Sequence, residues 1–415
     1  IYQCDWSSDV CSSDLISTIS GVALGTALLA GTAFAGPRIT FGPEDQGALQ
    51  IDYKGQFQMS IRDNGSGANG DDTTTNFNFR RNRLAFMGKY GDMLSLYVQT
   101  EFTEDPNVGT LGVGDNSADT EFQLLDAVMR FKFHDGFRVN VGKFKHNLTR
   151  ENLEACEMPL TLDRSLFIRA PYVSTRDVGV AVWGSLFNDV FQYRLDAMEG
   201  RKAGDRDANG YSSPDSNFRY TARAHVTLLD PEKDYGYKGT YMGEKQVLTV
   251  GAAVQYEPNV AYGNAATQTD SKDYTAWTVD GYFEYPVEGF GTITASAAYA
   301  DFSMDDTYAV STNADSGAIG LNGEKNGWYA KAGYMLPNLP LQIFGRYERW
   351  SFASLNNVVD QDINWYGVGA NYYSWGQNLK LTAEVSKTEF DKEGTYNGVK
   401  SEDFTTFITQ LQLLF

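Results

Sequence analysis

From residue 48 to the end of the chain, apolar and polar positions alternate with a period of two in segment after segment. Arg219, Thr221, Arg223, His225 and Thr227 alternate with Tyr220, Ala222, Ala224 and Val226. Leu248, Val250, Ala252, Val254 and Tyr256 alternate with Thr249, Gly251, Ala253 and Gln255. Successive strand side chains point to opposite faces, so each such segment has one apolar face and one small or polar face. The pattern predicts sixteen strands, at 48–62, 77–90, 93–104, 122–133, 137–146, 178–187, 190–199, 217–228, 246–257, 274–285, 290–302, 327–336, 341–350, 362–374, 378–389 and 402–415.

The connections sort into two kinds. "YGD", "HDG", "FND", "VEG", "PNLP" and "WGQN" make tight turns at every second junction, with one longer exception from Leu229 to Lys245. The intervening connections are long and polar, as at Asp63–Asn76, Asp105–Glu121, Gly200–Asn217, Ser303–Asn326 and Phe390–Ser401. An even strand count with short turns on one rim and long loops on the other predicts an all-β fold, a transmembrane antiparallel β-barrel. A soluble β-sandwich also alternates. It would however bury the Tyr-, Phe- and Ala-rich faces of sixteen strands in one core. Closure into a barrel pairs every strand edge, as hydrocarbon demands. The last strand agrees: "FTTFITQLQLLF" sets Phe407, Thr409, Leu411, Leu413 and Phe415 on one side, like the terminal signal of bacterial outer-membrane barrels.

If the apolar parity faces lipid, the other parity faces a lumen. Leu84 and Phe86 outward put Arg81 and Arg83 inward, with Arg80 at the rim. Ala127, Met129 and Phe131 outward leave Asp126, Arg130 and Lys132 inward. Arg219, Arg223 and His225 follow, with Gln192, Arg194 and Asp196 on the neighbouring strand. Lys331, Arg346 and Lys380 extend this set, opposed by Glu101, Asp280, Glu348 and Glu384. A sixteen-stranded barrel is wide enough for an aqueous channel, and basic residues along it would concentrate anions. Some of these charges would instead pair and brace the wall, Asp126, Asp196 and Glu384 being the candidates.

Composition narrows the function. A formal charge of −19 leaves no broad basic surface for a nucleic-acid partner, and 25 Tyr with 25 Phe exclude disorder. Three Cys provide neither a disulfide framework nor a metal pattern, and no cofactor is expected. An enzyme is not expected either: His134, His146 and His225 have no nucleophile or carboxylate partner in register. Residues 16–35, ending Ala33-Phe34-Ala35, read as an export signal, so 1–35 is expected to be a leader whose first fifteen residues are atypical. Residues 36–415 then form the barrel.

One stretch breaks the alternation. In "RVNVGKFKHNLTRENLEACEMP", Val139 and Val141 have outward parity, and the same parity then carries Lys143 and Lys145. A charge on the lipid face costs roughly 2–4 kcal/mol near the bilayer centre. Either a bulge near Gly142 reverses the parity, or the strand has left the bilayer there. The lysines would then stand at the entry to the longest connection. "VGKFKHN" lacks the spacing and Lys-Ser/Thr ending of a P-loop. Thr149 is placed to cap a short helix that Pro159 stops. The connection, 147–177, carries Arg164, Arg169 and Arg176, and its length favours folding into the barrel to narrow the pore over the alternative of an external cap loop.

With "FRRNRLAFMG", "VGKFKHNLTRENL", "LTLDRSLF" and "STRDVGVAVWG" in this order, the chain resembles the phosphate-selective porin O and P family of Gram-negative bacteria. The resemblance spans the chain after residue 35. It implies a homotrimeric, sixteen-stranded channel in the outer-membrane lipid, with an inward-folded loop. It places Arg81 and Arg83 on the early lumen wall, Lys143 and Lys145 at the loop entry, and Arg164, Arg169 and Arg176 in or beside the loop. The expected solutes are small anions such as phosphate, or other small hydrophilic solutes. The regular ladder of arginines expected of a highly phosphate-selective member is absent, which leaves a general porin, or a barrel sheathing a partner protein, as alternatives.

Overall fold

The computed structural model describes residues 36–103, 121–165, 168–202, 212–308 and 314–415; the expected leader, 1–35, lies outside them. The first half of the barrel contains β2 (Gly47–Ser66), β3 (Asp72–Tyr90), β4 (Leu94–Thr103), β5 (Glu121–His134), β6 (Phe137–Lys145), β7 (Arg176–Leu186), β8 (Phe191–Met198) and β9 (Arg219–Thr227). The second contains β10 (Val247–Asn264), β11 (Thr269–Val287), β12 (Gly291–Ser303), β13 (Lys325–Met335), β14 (Leu341–Leu355), β15 (Val358–Gln377), β16 (Leu379–Phe390) and β19 (Phe404–Leu414). Each strand pairs antiparallel with the next, and β19 pairs with β2, so sixteen strands close into a barrel with no open edge. Each coincides with one sequence-predicted strand. Several run further toward the long-loop rim than the alternation alone indicates.

Three strands lie outside that pattern. β1 (Arg38–Phe41) pairs with the start of β2, where Arg38 faces Gln50. It covers the edge of β2 that extends past the end of β19. There Phe415 exchanges backbone hydrogen bonds with Tyr53 at 2.6 and 3.1 Å. β17 (Gly394–Tyr396) and β18 (Val399–Ser401) form a small hairpin in the long connection before β19. Four- and three-residue strands are too short to show a period in sequence.

The outer surface has the layering a bilayer requires. Val368, Val385, Leu381 and Ile343 are exposed between two rings of aromatic side chains. On the long-loop side Tyr220 faces Tyr256 across strands, Tyr299 faces Trp328, and Tyr347 faces Tyr366. Near the short-turn rim Phe137, Phe187, Phe290, Tyr372, Trp375 and Phe415 stand exposed. Amphipathic rings favour the membrane–water boundary, and such girdles bracket the apolar band of outer-membrane barrels.

Candidate functional site

The connection between β6 and β7 runs through the barrel. Its first turn is the helix α1 (Arg150–Leu153), capped by Thr149, whose Oγ1 accepts from Asn152 N at 3.0 Å. Beyond α1 the chain follows the inner wall of β13–β16. The Asn371 side chain donates to Leu160 O at 2.9 Å, Leu162 N donates to Glu384 at 3.1 Å, and Arg346 donates to Asp163 O at 3.0 Å. Lys331 forms an ion pair with Glu151. Inward charges that alternation predicted on β13, β14 and β16 thus hold the loop rather than line open water.

From there the loop reaches across to β2 and β3. Glu157 meets Lys54 at 2.5 Å, and Asp163 meets Arg80 at 2.6 Å and Arg81 at 3.1 Å. Arg80 was expected at the rim, but it faces the lumen. The β2–β3 register slips between Gln56 and Phe57, so Gln56 faces Arg81 and Phe57 faces Phe79, with Arg80 as the extra residue. A bulge of this kind points two consecutive side chains to one face. Arg83 binds Glu101 through two hydrogen bonds of 2.8 and 3.0 Å, and Arg176 binds Asp126 through two of 3.0 Å. Lys145 Nζ donates to Glu154 O at 2.6 Å, and Arg164 donates to Asn152 O at 3.2 Å. These last two meet carbonyls, so among the described residues no carboxylate pairs directly with either.

Electrostatics in the loop follow from this crowding. Burial pushes Glu157 up, but Lys54 beside it dominates and brings it down to about 2. Burial likewise opposes ionisation of Asp163, while Arg80, Arg81 and Arg164 hold it well below the usual carboxylate range. The buried Cys156 thiol is also raised by burial and then held well below its ordinary value by Arg164, Lys145, Arg83 and Arg81. A depressed thiol reports a positive local potential.

Lys143 departs from expectation. The β6–β7 register is continuous from Arg138 to Lys145, so no bulge occurs at Gly142. Lys143 faces Val178 across strands and shares its outward parity. Its Nζ donates to Leu124 O at 2.8 Å, next to the β4–β5 register slip that leaves Leu125 as the extra residue. It therefore lies on the outer surface near the long-loop rim, not on the pore. Lys145 shares that parity but lies at the end of β6, where its side chain turns inward to α1. Gly142 is required for another reason: at φ +128° an added Cβ would sit 2.1 Å from Ala127 O.

The remaining candidates are spread out. Arg219 pairs with Glu257 at 2.6 Å and Arg223 with Asp280 at 2.7 Å, both fully buried in the wall. Lys132 meets Asp135 at 3.1 Å at the short-turn rim, and Arg130 lies over the Tyr97 ring at 5.4 Å. Arg169 offers its carbonyl to Lys325 Nζ at 2.8 Å, at the long-loop end. Side chains that keep contact with solvent concentrate on one side: Lys54 is 18% exposed, Arg80 23% and Asp163 18%. The opposite wall is dry, with Gln192 and Arg194 at 0%.

A sixteen-stranded, girdled barrel with a charged loop across its lumen is matched over residues 51–415 by the profile of "Phosphate-selective porin O and P". The chain belongs to this family. It is accordingly a channel-forming porin of the Gram-negative outer membrane, not an enzyme. Its fold is similar to three solved structures. Salmonella typhi OmpF in complex with daunomycin is 12% identical with a TM-score of 0.58, over 90% of this chain and 99% of that one. The outer membrane channel DcaP of Acinetobacter baumannii is 15% identical with a TM-score of 0.54, over 92% and 100%. OmpT of Vibrio cholerae is 12% identical with a TM-score of 0.50, over 91% and 100%. No curated protein matches.

Sequence reasoning missed Lys54, Glu157 and Asp163, which pair where the loop reaches β2 and β3. Lys54 carries inward parity on β2 and was legible there. The two acids lie in irregular chain, where no period assigns a direction.

Proposed function

We propose that this porin passes small hydrophilic anions, phosphate among them, along the β2–β5 side of its lumen. The observation that carries this reading is the cluster of Arg80, Arg81, Arg83, Lys145, Arg164 and Arg176, gathered where the infolded loop approaches β2 and β3. Glu101, Asp126 and Asp163 neutralise part of it. Lys145 and Arg164 meet only carbonyls, and the depressed Cys156 thiol is consistent with a net positive field. A positive constriction in a low-dielectric wall raises local anion concentration and repels cations. Short ion pairs would make the preference moderate, which favours, as the second reading, a general porin with a weak anion bias. In keeping with its family, the chain is proposed to assemble as a homotrimer, which cross-linking of the detergent-extracted protein would test.

The solute class is tested by measuring chloride current through purified protein in a planar bilayer while phosphate is added. Phosphate binding at the constriction should lower the chloride current at millimolar levels, and Arg80→Gln should weaken that block. Current indifferent to phosphate leaves the general-porin reading.

A further inference from the structure

Every described connection on the short-turn rim is tight except the one between β9 and β10. That hairpin continues to Asp230 and Gln246, where Asp230 N donates to Gln246 O at 2.7 Å, and residues 231–245 then leave the rim. They turn into the barrel. Gln192, on the inner face of β8, donates to the carbonyls of Glu232, Lys233 and Asp234 at 3.2–3.4 Å. Higher on the same strand, Arg194 donates to Tyr235 O at 2.8 Å and to the Tyr237 hydroxyl at 2.6 Å. His225 Nδ1 lies 2.7 Å from that hydroxyl. The segment returns to the rim at Glu284 of β11, whose carboxylate accepts from Tyr241 N at 2.9 Å and Gly243 N at 2.8 Å.

At its apex the segment meets the infolded loop from the opposite rim. Tyr237 N donates to Leu153 O at 3.3 Å, Ala155 N donates to Tyr237 O at 2.9 Å, and Gly239 N donates to Met158 O at 3.0 Å. Arg150 of α1 binds Glu232 through bonds of 2.7 and 2.8 Å, held between the rings of Tyr237 and Tyr282. The two elements touch so closely that a Cβ on Gly239 would lie 2.6 Å from Leu160 N.

We infer that residues 231–245 are a second pore-narrowing element, inserted from the periplasmic rim, which fills the β7–β11 side of the lumen and braces the infolded loop. Solutes are thereby confined to the β2–β5 side. Burial divides the barrel in the same way: the wall behind the segment is excluded from solvent, while Lys54, Arg80 and Asp163 are not. A dense network of buried hydrogen bonds and charges holds one arrangement, since breaking the Arg150–Glu232 pair or the Arg194–Tyr237 bond would strand buried polar groups. The inference rests on the porin reading and adds to it which half of the lumen conducts.

Thiol accessibility tests it in the intact chain. In a Cys156→Ser background, Arg80→Cys and Gln192→Cys channels are opened in a planar bilayer and exposed to a small charged methanethiosulfonate. Current should fall for Arg80→Cys and stay constant for Gln192→Cys. A second chain replaces residues 233–243 by a Gly-Asn turn. Its single-channel conductance should rise roughly twofold, because conductance follows the open cross-section, and Gln192→Cys should become reactive in it. Block of Gln192→Cys in the full-length chain at the rate seen for Arg80→Cys overturns the inference. If the shortened chain folds, unchanged conductance overturns it too; if it does not fold, the full-length comparison decides. Silence of the native protein would instead overturn the porin reading itself.

Discussion

Two lysines two residues apart illustrate how little a residue type says without its register. Lys143 donates to the Leu124 carbonyl on the outer wall, whereas Lys145 turns inward to the end of α1. Neutralising Lys143 with Gln should therefore leave ion selectivity unchanged, while Arg80→Gln should lower anion preference; equal effects would mean that Lys143 lines the path after all. Buried carboxylates make a second prediction at this scale. Burial pushes Glu232 up, but Arg150 overrides it and sets it at about 2, and Glu157 is likewise at about 2 through Lys54. Depressed carboxyls stabilise the fold fully above their ordinary value near 4.5, and this contribution disappears as pH falls from there through about 2. The urea midpoint of the refolded protein should drop as pH falls below 4.5, less steeply in Glu232→Gln. An identical acid profile in the variant would remove Glu232 as a source of this dependence.

Among elements, all sixteen barrel strands could be read from period-two alternation because burial on one face and water on the other leave a regular trace. Arg81, Arg83, Arg219 and Arg223, to which alternation gives inward parity, are buried. Bulges were not legible, since one extra residue alters direction without a signature of its own, and this hid the inward turn of Arg80. The paths of 147–175 and 231–245 were also out of reach in detail. Irregular chain is placed by the groups it meets, such as Glu384, Arg194 and Glu284, and those lie far away in sequence. The bulge makes an experiment possible: deleting Arg80 should regularise the β2–β3 pairing with Phe79 still outward and Arg81 still inward. The deleted chain should fold with native heat-modifiable mobility and reduced anion preference. Failure to fold would show that the bulge is needed for closure.

For the whole molecule, solvents on both sides of the wall dictate the plan. Hydrocarbon selects the apolar outer band and its aromatic girdles, and the aqueous lumen is largely filled with loop and charge. Val385 lies outside while its neighbour Glu384 holds the infolded loop. Val385→Arg should cost about 2–4 kcal/mol of folding free energy in phospholipid, read from urea unfolding; an unchanged midpoint would contradict a lipid-facing band there. A water-filled path past a net positive constriction would show in the reversal potential of the native channel under a potassium chloride gradient. The expected potential has the sign set by chloride and falls toward zero in Arg80→Gln. A potential of the sign set by potassium would contradict it.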